Sequence, residues 1–352
     1  MAEPYDIVVA GGGLIGTALA LSLRDSGFKI ALLEAQPRAA VVHDARTIAL
    51  AYGSRLILER LGVWPDISAT PIVRILVSQA SSFGRTRLDA ADAGVPALGY
   101  VTQYADLVAA LRAPLGDLLL GDAPQARCIV HAEGAPADVP GKRYAQDALV
   151  ALVATDAPAA ETAFERFTAE GPLALLPMGA RHALIWSARP ERARELAALG
   201  DDAFLAELRR LAPRAVGRPV AVESRVVQPL MLKVRSARVS GNEVYIGNAA
   251  QTLHPVAGQG LNLGLRDAWE LARTLARAAD PGDGAVLARF AAARRIDAGA
   301  TVRITDLLAA GFADSSALLG AARGAALTAL DIFPPARRFF ARRMIYGAQA
   351  LP

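Results

Sequence analysis

Gly11, Gly13 and Gly16 stand in the spacing G-x-G-x-x-G, and Glu34 follows about twenty residues later. Glycines so placed let a chain turn tightly and let a pyrophosphate approach backbone N–H groups at the positive end of a helix. A carboxylate at the end of the next strand can accept hydrogen bonds from an adenosine ribose. The chemistry expected of this set is to hold a dinucleotide. A second glycine-rich helix start, Gly258-Gln259-Gly260, places N–H groups where negative charge develops on a bound group. His254, just before it, is the one candidate for proton transfer; the plainer reading is a histidine beside Pro255 that holds its own loop. Arg46 begins an apolar periodic segment, where a cation opposes a helix dipole, so an anion is expected beside it.

Other chemistries find little support. His43, His131, His182 and His254 lie too far apart for metal-ligand spacing, so no metal is expected. Cys128 is the only cysteine, which excludes a disulfide framework and fits a reducing compartment. The formal charge of +4 comes from dispersed arginines, so nucleic acid is not an expected partner. With 352 residues, 53% of them hydrophobic, about two folded domains are expected. The uncharged run from Ile7 to Leu23 has an acidic flank and internal glycines, which argue against a membrane span or signal peptide.

Positioning these residues requires particular elements. Ile7 to Ala10 lacks polar alternation, as a strand buried on both faces does; Leu14 to Leu23 has helical spacing, and Lys29 to Leu33 is a second strand. Thr47 to Leu61 reads as one helix ended by Gly62, and Gln103 to Leu111 as another. Strands are expected at Ile72 to Ser78, Arg87 to Asp89, Ala97 to Val101, Arg127 to Ala132, Tyr144 to Thr155, Arg166 to Thr168, Leu173 to Pro177, His182 to Ser187 and Val220 to Val234. Glu191 to Leu211 is helical with a break near Gly200, a short strand Glu243 to Ile246 leads to the helix from Leu261, and Gly284 to Tyr346 is helical.

Three separated stretches, GGGLIG with Glu34, HDARTIALAYGSRLILERLGVW, and YIGNAAQTLHPVAGQGLNLGLRDA, resemble the FAD-dependent hydroxylases of ubiquinone biosynthesis. These are 2-polyprenylphenol-hydroxylase-like members of the para-hydroxybenzoate-hydroxylase-like group A flavoprotein monooxygenases, and ERFTAEGPLALLPMG is similar to their substrate-domain signature. The resemblance implies an α/β fold: a Rossmann-like FAD-binding domain interrupted by an antiparallel substrate-domain sheet, with a C-terminal helical region. It divides the chain into an FAD-binding domain of residues 1–70, 102–140 and 236–300, a substrate domain of 71–101 and 141–235, and a helical region of 301–352.

The resemblance also implies FAD as cofactor, NAD(P)H as transient reductant and a polyprenylated phenol as substrate. Carried over by motif, Gly11, Gly13 and Gly16 face the pyrophosphate and Glu34 the ribose. Arg46 lies by the pyrophosphate and ribityl chain and Asn248 by the ribityl or phosphate region; Gly258, Gln259 and Gly260 form the flavin-facing loop, and Gln103, Pro255 and Asn262 are further cofactor-binding residues. Asn248 stands where relatives outside this branch have aspartate; an amide keeps an acceptor and adds donors. Glu133-Gly134 replaces an Asp-Gly pair, and Gln103-Tyr104 stands for Glu-Asn. The stretch from Leu111 to Arg127 is short beside the ~30 residues of a βαβ unit, so an abbreviated adenine end is expected.

The leading expectation is thus an aromatic-ring hydroxylase. Its rivals are a member without chemistry serving as a structural subunit of a ubiquinone-biosynthesis assembly, and a flavin monooxygenase for another aromatic substrate. In PPARRFFARRMIYG, helical spacing places Ala336, Phe339, Phe340 and Met344 on one side, with Arg338 and Arg342 on another. Such a helix either docks on the core or lies on an anionic membrane surface. A cytoplasmic protein, in peripheral contact with the inner face of the membrane, is expected.

Overall fold

The computed structural model describes residues 5–34, 46–80, 82–120, 125–157, 161–253, 258–313 and 317–347. The apolar run after Tyr5 forms β1 (Tyr5–Ala10), in which Ile7, Val8 and Val9 are all buried, so both faces of the strand are covered. It is followed by α1 (Leu14–Ser22) and β2 (Ile30–Leu33). Next come β3 (Thr47–Ala51), α2 (Tyr52–Arg60), β4 (Ala69–Ile72), β5 (Arg74–Gln79), β6 (Arg85–Asp89) and α3 (Ala90–Ala93). The chain returns through β7 (Gly99–Gln103), α4 (Tyr104–Arg112), β8 (Leu119–Leu120) and β9 (Ala126–His131).

A long antiparallel stretch then builds β10 (Gly141–Thr155), β11 (Thr162–Phe167), β12 (Pro172–Met178) and β13 (Arg181–Ala188). Two helices, α5 (Pro190–Ala198) and α6 (Asp201–Leu211), precede β14 (Pro219–Val234). The last strands are β15 (Val239–Ser240), β16 (Glu243–Tyr245) and β17 (Gln251–Thr252). Helices α7 (Gln259–Leu275), α8 (Gly284–Ala313), α9 (Ala317–Ile332) and α10 (Pro334–Tyr346) complete the chain.

Two large sheets organise these elements. The first is six-stranded, in the order β15-β16-β9-β1-β2-β8, with β1 parallel to both β2 and β9. The second is eight-stranded, in the order β17-β14-β10-β13-β12-β11-β5-β6. It is antiparallel except where β11 runs parallel to β5. Each has its own core: Ile7, Leu19, Leu107, Leu265 and Leu271 pack at the first sheet, while Phe164, Trp186, Phe204 and Leu208 join the second to α5 and α6.

Two sequence expectations need correction, and the structure shows what the abbreviated stretch before Arg127 contributes. Thr47 to Leu61 is not one helix: its first five residues form β3, because pairing with β7 across Thr47–Gln103 to Ala51–Gly99 overrides helical periodicity. The strand expected at 166–168 is β11, beginning at Thr162, so the intervening charged residues belong to the sheet. The short stretch before Arg127 supplies an edge strand, since β8 pairs with β2 through Leu32–Leu119 and Leu33–Leu120.

Candidate functional site

At the start of α1 the three glycines have different physical reasons. Gly11 has φ +110°, and a Cβ there would sit 2.6 Å from the carbonyl carbon of Ala132. A Cβ on Gly16 would collide with the Gly11 carbonyl oxygen. Gly13 caps the helix with an ordinary φ of −75°, and a Cβ there would meet nothing within 4 Å. The protein's own packing therefore requires two of the glycines, while the third keeps open the space before the helix N-terminus. An anionic pyrophosphate fits that space on charge and size.

Glu34 directly follows β2 with its side chain beside Gly12, and the Arg112 guanidinium grips it. The same Arg112 Nη2 donates to the Gly12 carbonyl at 2.8 Å, so this arginine ties the acidic residue to the glycine turn. Nothing in the sequence pattern marks Arg112, which lies at the end of a plain amphipathic helix. Glu133, in the place of the family aspartate, has Oε1 3.0 Å from His131 Nδ1, and its backbone abuts Gly11. Cys128, buried in β9, has its thiol pushed up to about 12 by burial, which removes it from chemistry at neutral pH.

The second glycine-rich turn is held against the first. Gly258 adopts φ +59° as the cap of α7, and a Cβ on Gly260 would meet nothing within 4 Å. Ile15 fills the hollow between Gly247 and Gly264, where a Cβ on Gly264 would come within 2.8 Å of it. Asn262 is buried and makes four hydrogen bonds to the protein. Its Oδ1 accepts from the Ala51 N–H at 2.7 Å and the Ser54 hydroxyl at 2.6 Å, and its Nδ2 donates to the carbonyls of Ala49 and Gly258. Gln259 donates through Nε2 to the Met344 carbonyl at 3.4 Å, which ties the turn to α10.

Behind the turn lies an ion network. Asp267, fully buried, accepts from Arg294 Nε at 2.7 Å, Arg238 Nη1 at 3.1 Å, Gln251 Nε2 at 2.8 Å and the Gly247 N–H at 3.2 Å. Burial alone would raise its carboxyl; Arg238 and Arg294 outweigh that and hold it below the usual carboxylate range. Asp297 extends the network to Arg294 and Arg266. The Arg266-Asp267 pair of the third motif was thus a legible signal for this anchor.

Between the second turn and the antiparallel sheet lies a cavity of about 770 Å³. Its walls are mostly apolar, from β3, β5, β11, β12 and the C-terminal helices, with Asn248, Gly258, Gln259, Gly260 and Asn262 at one end. Phe340, Ala341, Met344 and Ile345 of α10 close it on another side. Phe339 is 75% exposed and does not share the docked side of α10, because Ala341 and Ile345 set that side instead. Arg46 is exposed, with its guanidinium 4.4 Å from the Tyr104 ring centroid, and Gln103 caps α4 next to it. His254 and Pro255 lie outside the described residues. The sequence pattern also missed Glu165 and Arg323, the two charged side chains on the cavity wall among the described residues. Burial pushes the Glu165 carboxyl up to about 7.

Comparison with known proteins agrees with this geometry. The family profile described as FAD binding domain matches residues 130–305. Ubiquinone hydroxylase UbiL of Rhodospirillum rubrum is 31% identical, covering 96% of this chain and 88% of its own. The 3-demethoxyubiquinol 3-hydroxylase of Escherichia coli is 29% identical, covering 89% and 91%. Among solved structures, p-nitrophenol 4-monooxygenase PnpA from Pseudomonas putida superposes with a TM-score of 0.78 at 16% identity, over 99% of this chain and 100% of that one. Klebsiella pneumoniae HpxO, complexed with FAD and uric acid, gives 0.72 at 17% identity, over 95% and 96%.

Proposed function

The chain belongs to the FAD binding domain family and is an FAD-dependent monooxygenase; from that premise we propose that it hydroxylates the ring of a polyprenylphenol-type precursor in ubiquinone biosynthesis. The observation that carries the proposal is the apolar cavity of about 770 Å³ opening onto the second glycine turn. That volume takes an aromatic ring with part of an apolar tail, within the usual size range of small-molecule sites. Its lining offers few polar groups to a hydrophilic substrate.

FAD, if bound here and reduced by NAD(P)H, would supply the O2-activating chemistry that hydroxylates an electron-rich ring. The protein's part is to bind, orient and exclude water. Gly11 and Gly16 let the turn close, Gly13 leaves the start of α1 open for the pyrophosphate, and Glu34, steadied by Arg112, would receive the ribose. Arg46, Gln103 and Asn248 serve the phosphate and ribityl region. Gly258, Gln259 and Gly260 present the N-terminus of α7 to the pole of the flavin that gains negative charge. Asn262 acts one step back, fixing that turn through its four hydrogen bonds. The division into residues 1–70, 102–140 and 236–300 for FAD, and 71–101 and 141–235 for substrate, follows the same assignment.

No described helix is long and apolar enough to cross a membrane. Peripheral contact is supported by Ile332 and Phe333 where α9 meets α10 and by Phe339 of α10, all exposed and close in sequence to the exposed Arg338 and Arg342. The purified protein should be yellow with near-stoichiometric flavin and should oxidise NAD(P)H faster when prenylated phenols are added. A protein that stays colourless and refuses added FAD would contradict the proposal and favour a structural subunit.

A further inference from the structure

The cavity wall carries one carboxyl that the cofactor assignments leave unused. Strand register places Thr86 opposite Val77, Val77 opposite Glu165, Glu165 opposite Ala174, and Ala174 opposite Ile185. Paired residues point to the same face of a sheet, so these five side chains form a row across five strands. All five line the cavity. Glu165 is at the centre of the row, flanked by Val77 and Ala174, while Phe164 and its neighbours on the other face pack into the core. Thr86, the other polar member, is two strands away, about 10 Å at the usual strand spacing.

The Glu165 carboxyl makes no hydrogen bond or ion pair to any described residue. Arg166, its neighbour in sequence, lies on the opposite face and donates to Ser78 Oγ at 3.3 Å. From the facing helices, the one charged lining side chain described is Arg323 of α9, which is engaged elsewhere. Uncharged polar lining groups are also supplied by Ser187 of β13, Asn248, and Thr252 of β17. A protonatable group placed without a partner in an apolar cavity is costly to fold around, unless a ligand supplies the partner.

We propose that Glu165 receives the ring hydroxyl of the substrate, accepting its hydrogen bond and taking its proton as the ring is oxygenated. This rests on the reading of the cavity as a phenol site beside FAD. In the step, the phenol O–H bond breaks, its proton forms an O–H bond on one Glu165 carboxylate oxygen, and the electron pair stays on the phenol oxygen. That pair delocalises into the ring and makes the ring carbons better nucleophiles toward the oxygen delivered from O2. A carboxyl near 7 rather than ~4.3 is closer to a phenol near ~10, which narrows the proton-transfer gap by roughly two orders of magnitude or more.

The test is binding of a phenol and of its methyl ether, which cannot donate, to the purified full chain as isolated, from pH 5 to 9. A 2-geranylphenol and its anisole counterpart serve as probes, with intrinsic tryptophan quenching as readout. Wild type should prefer the phenol, and the preference should grow to about tenfold or more as pH rises through 7, as a bond to an ionised acceptor requires. Glu165→Gln should lose the rise with pH, and Glu165→Asp should keep part of it. A preference that is flat with pH in wild type, or unchanged in the glutamine variant, overturns the proposal even if that variant is hard to obtain, since the wild-type profile stands alone. Flavin content of the same wild-type preparation separates the two levels: without flavin, the reading of the site fails; with flavin and a flat profile, only the role of Glu165 fails.

Discussion

Gly13 and Gly16 separate ligand from packing at single-residue scale. A Gly13→Val protein should fold with stability within about 0.5 kcal/mol of wild type, because its Cβ meets no protein atom, yet it should not retain FAD. Gly16→Val should lose stability by roughly 1–3 kcal/mol or more, because its Cβ meets the Gly11 carbonyl. Thermal melts with flavin quantitation check both; a valine at 13 that holds FAD at wild-type affinity would remove the pyrophosphate from this turn. Glu165 gives a pH signature of its own. With its folded value raised to about 7 against an unfolded ~4.3, the native state holds a proton that the unfolded chain releases in that interval. Stability from this group therefore falls as pH rises from ~4.3 to 7. Glu165→Gln should melt like wild type near pH 4 and progressively higher up to pH 7; equal melting points across that range would show that the carboxyl is not buried.

At the scale of elements, α7 and its ion-pair anchor hold the flavin-facing turn. Gly260→Glu puts a carboxylate at the helix start where reduced-flavin charge must be stabilised, so the flavin reduction potential should fall. Potentiometry that finds no change would mean that this turn does not face the ring. Asp267→Ala should destabilise the protein by about 3–5 kcal/mol, since it takes the ion-pair partner from Arg238 and leaves the buried Arg294 with Asp297 alone. Asp267 is held below its unfolded value, so its contribution is present above pH ~4 and lost as pH falls through the folded value. Asp267→Asn should accordingly show a shallower loss of stability below pH 4 than wild type in acid titrations followed by circular dichroism.

Elements also show what could be read from sequence. The glycine turns were legible because their demands are local: Gly11 needs its positive φ, and α1 and β2 follow in order. The long antiparallel strands β10 and β14 were legible from their apolar content. The segment from Thr47 to Ala51 was not, because its helical periodicity continues through residues that pair with β7. Arg112 and Glu165 escaped notice for the same reason. Each owes its position to partners far away in sequence, Arg112 to Gly12 and Glu34, Glu165 to the register of β5, β11 and β12.

Across the whole molecule, the C-terminal helices complete the cavity and carry its outer surface. Arg337 is committed inward, with Nε 3.0 Å from Asp92 and Nη1 bonded to the Asp331 carbonyl, so the four arginines of the motif are not equivalent. Arg338 and Arg342 remain exposed beside Phe339, and each can add ~1 kcal/mol of attraction to an anionic surface. Co-sedimentation with anionic vesicles should weaken with salt and with Arg338→Gln plus Arg342→Gln, whereas Arg337→Gln should cost stability instead. Binding indifferent to the paired change would leave α10 with a purely structural role.

The central claim is that FAD, an apolar phenol and O2 meet in this cavity. Its most direct test is turnover of the flavin-loaded protein with NAD(P)H, a prenylated phenol and 18O2, followed by mass spectrometry of the product. One labelled oxygen atom on the ring per NAD(P)H consumed productively is the predicted result. NAD(P)H oxidation that yields only peroxide with every prenylated phenol, or a hydroxylated product without label, would contradict it.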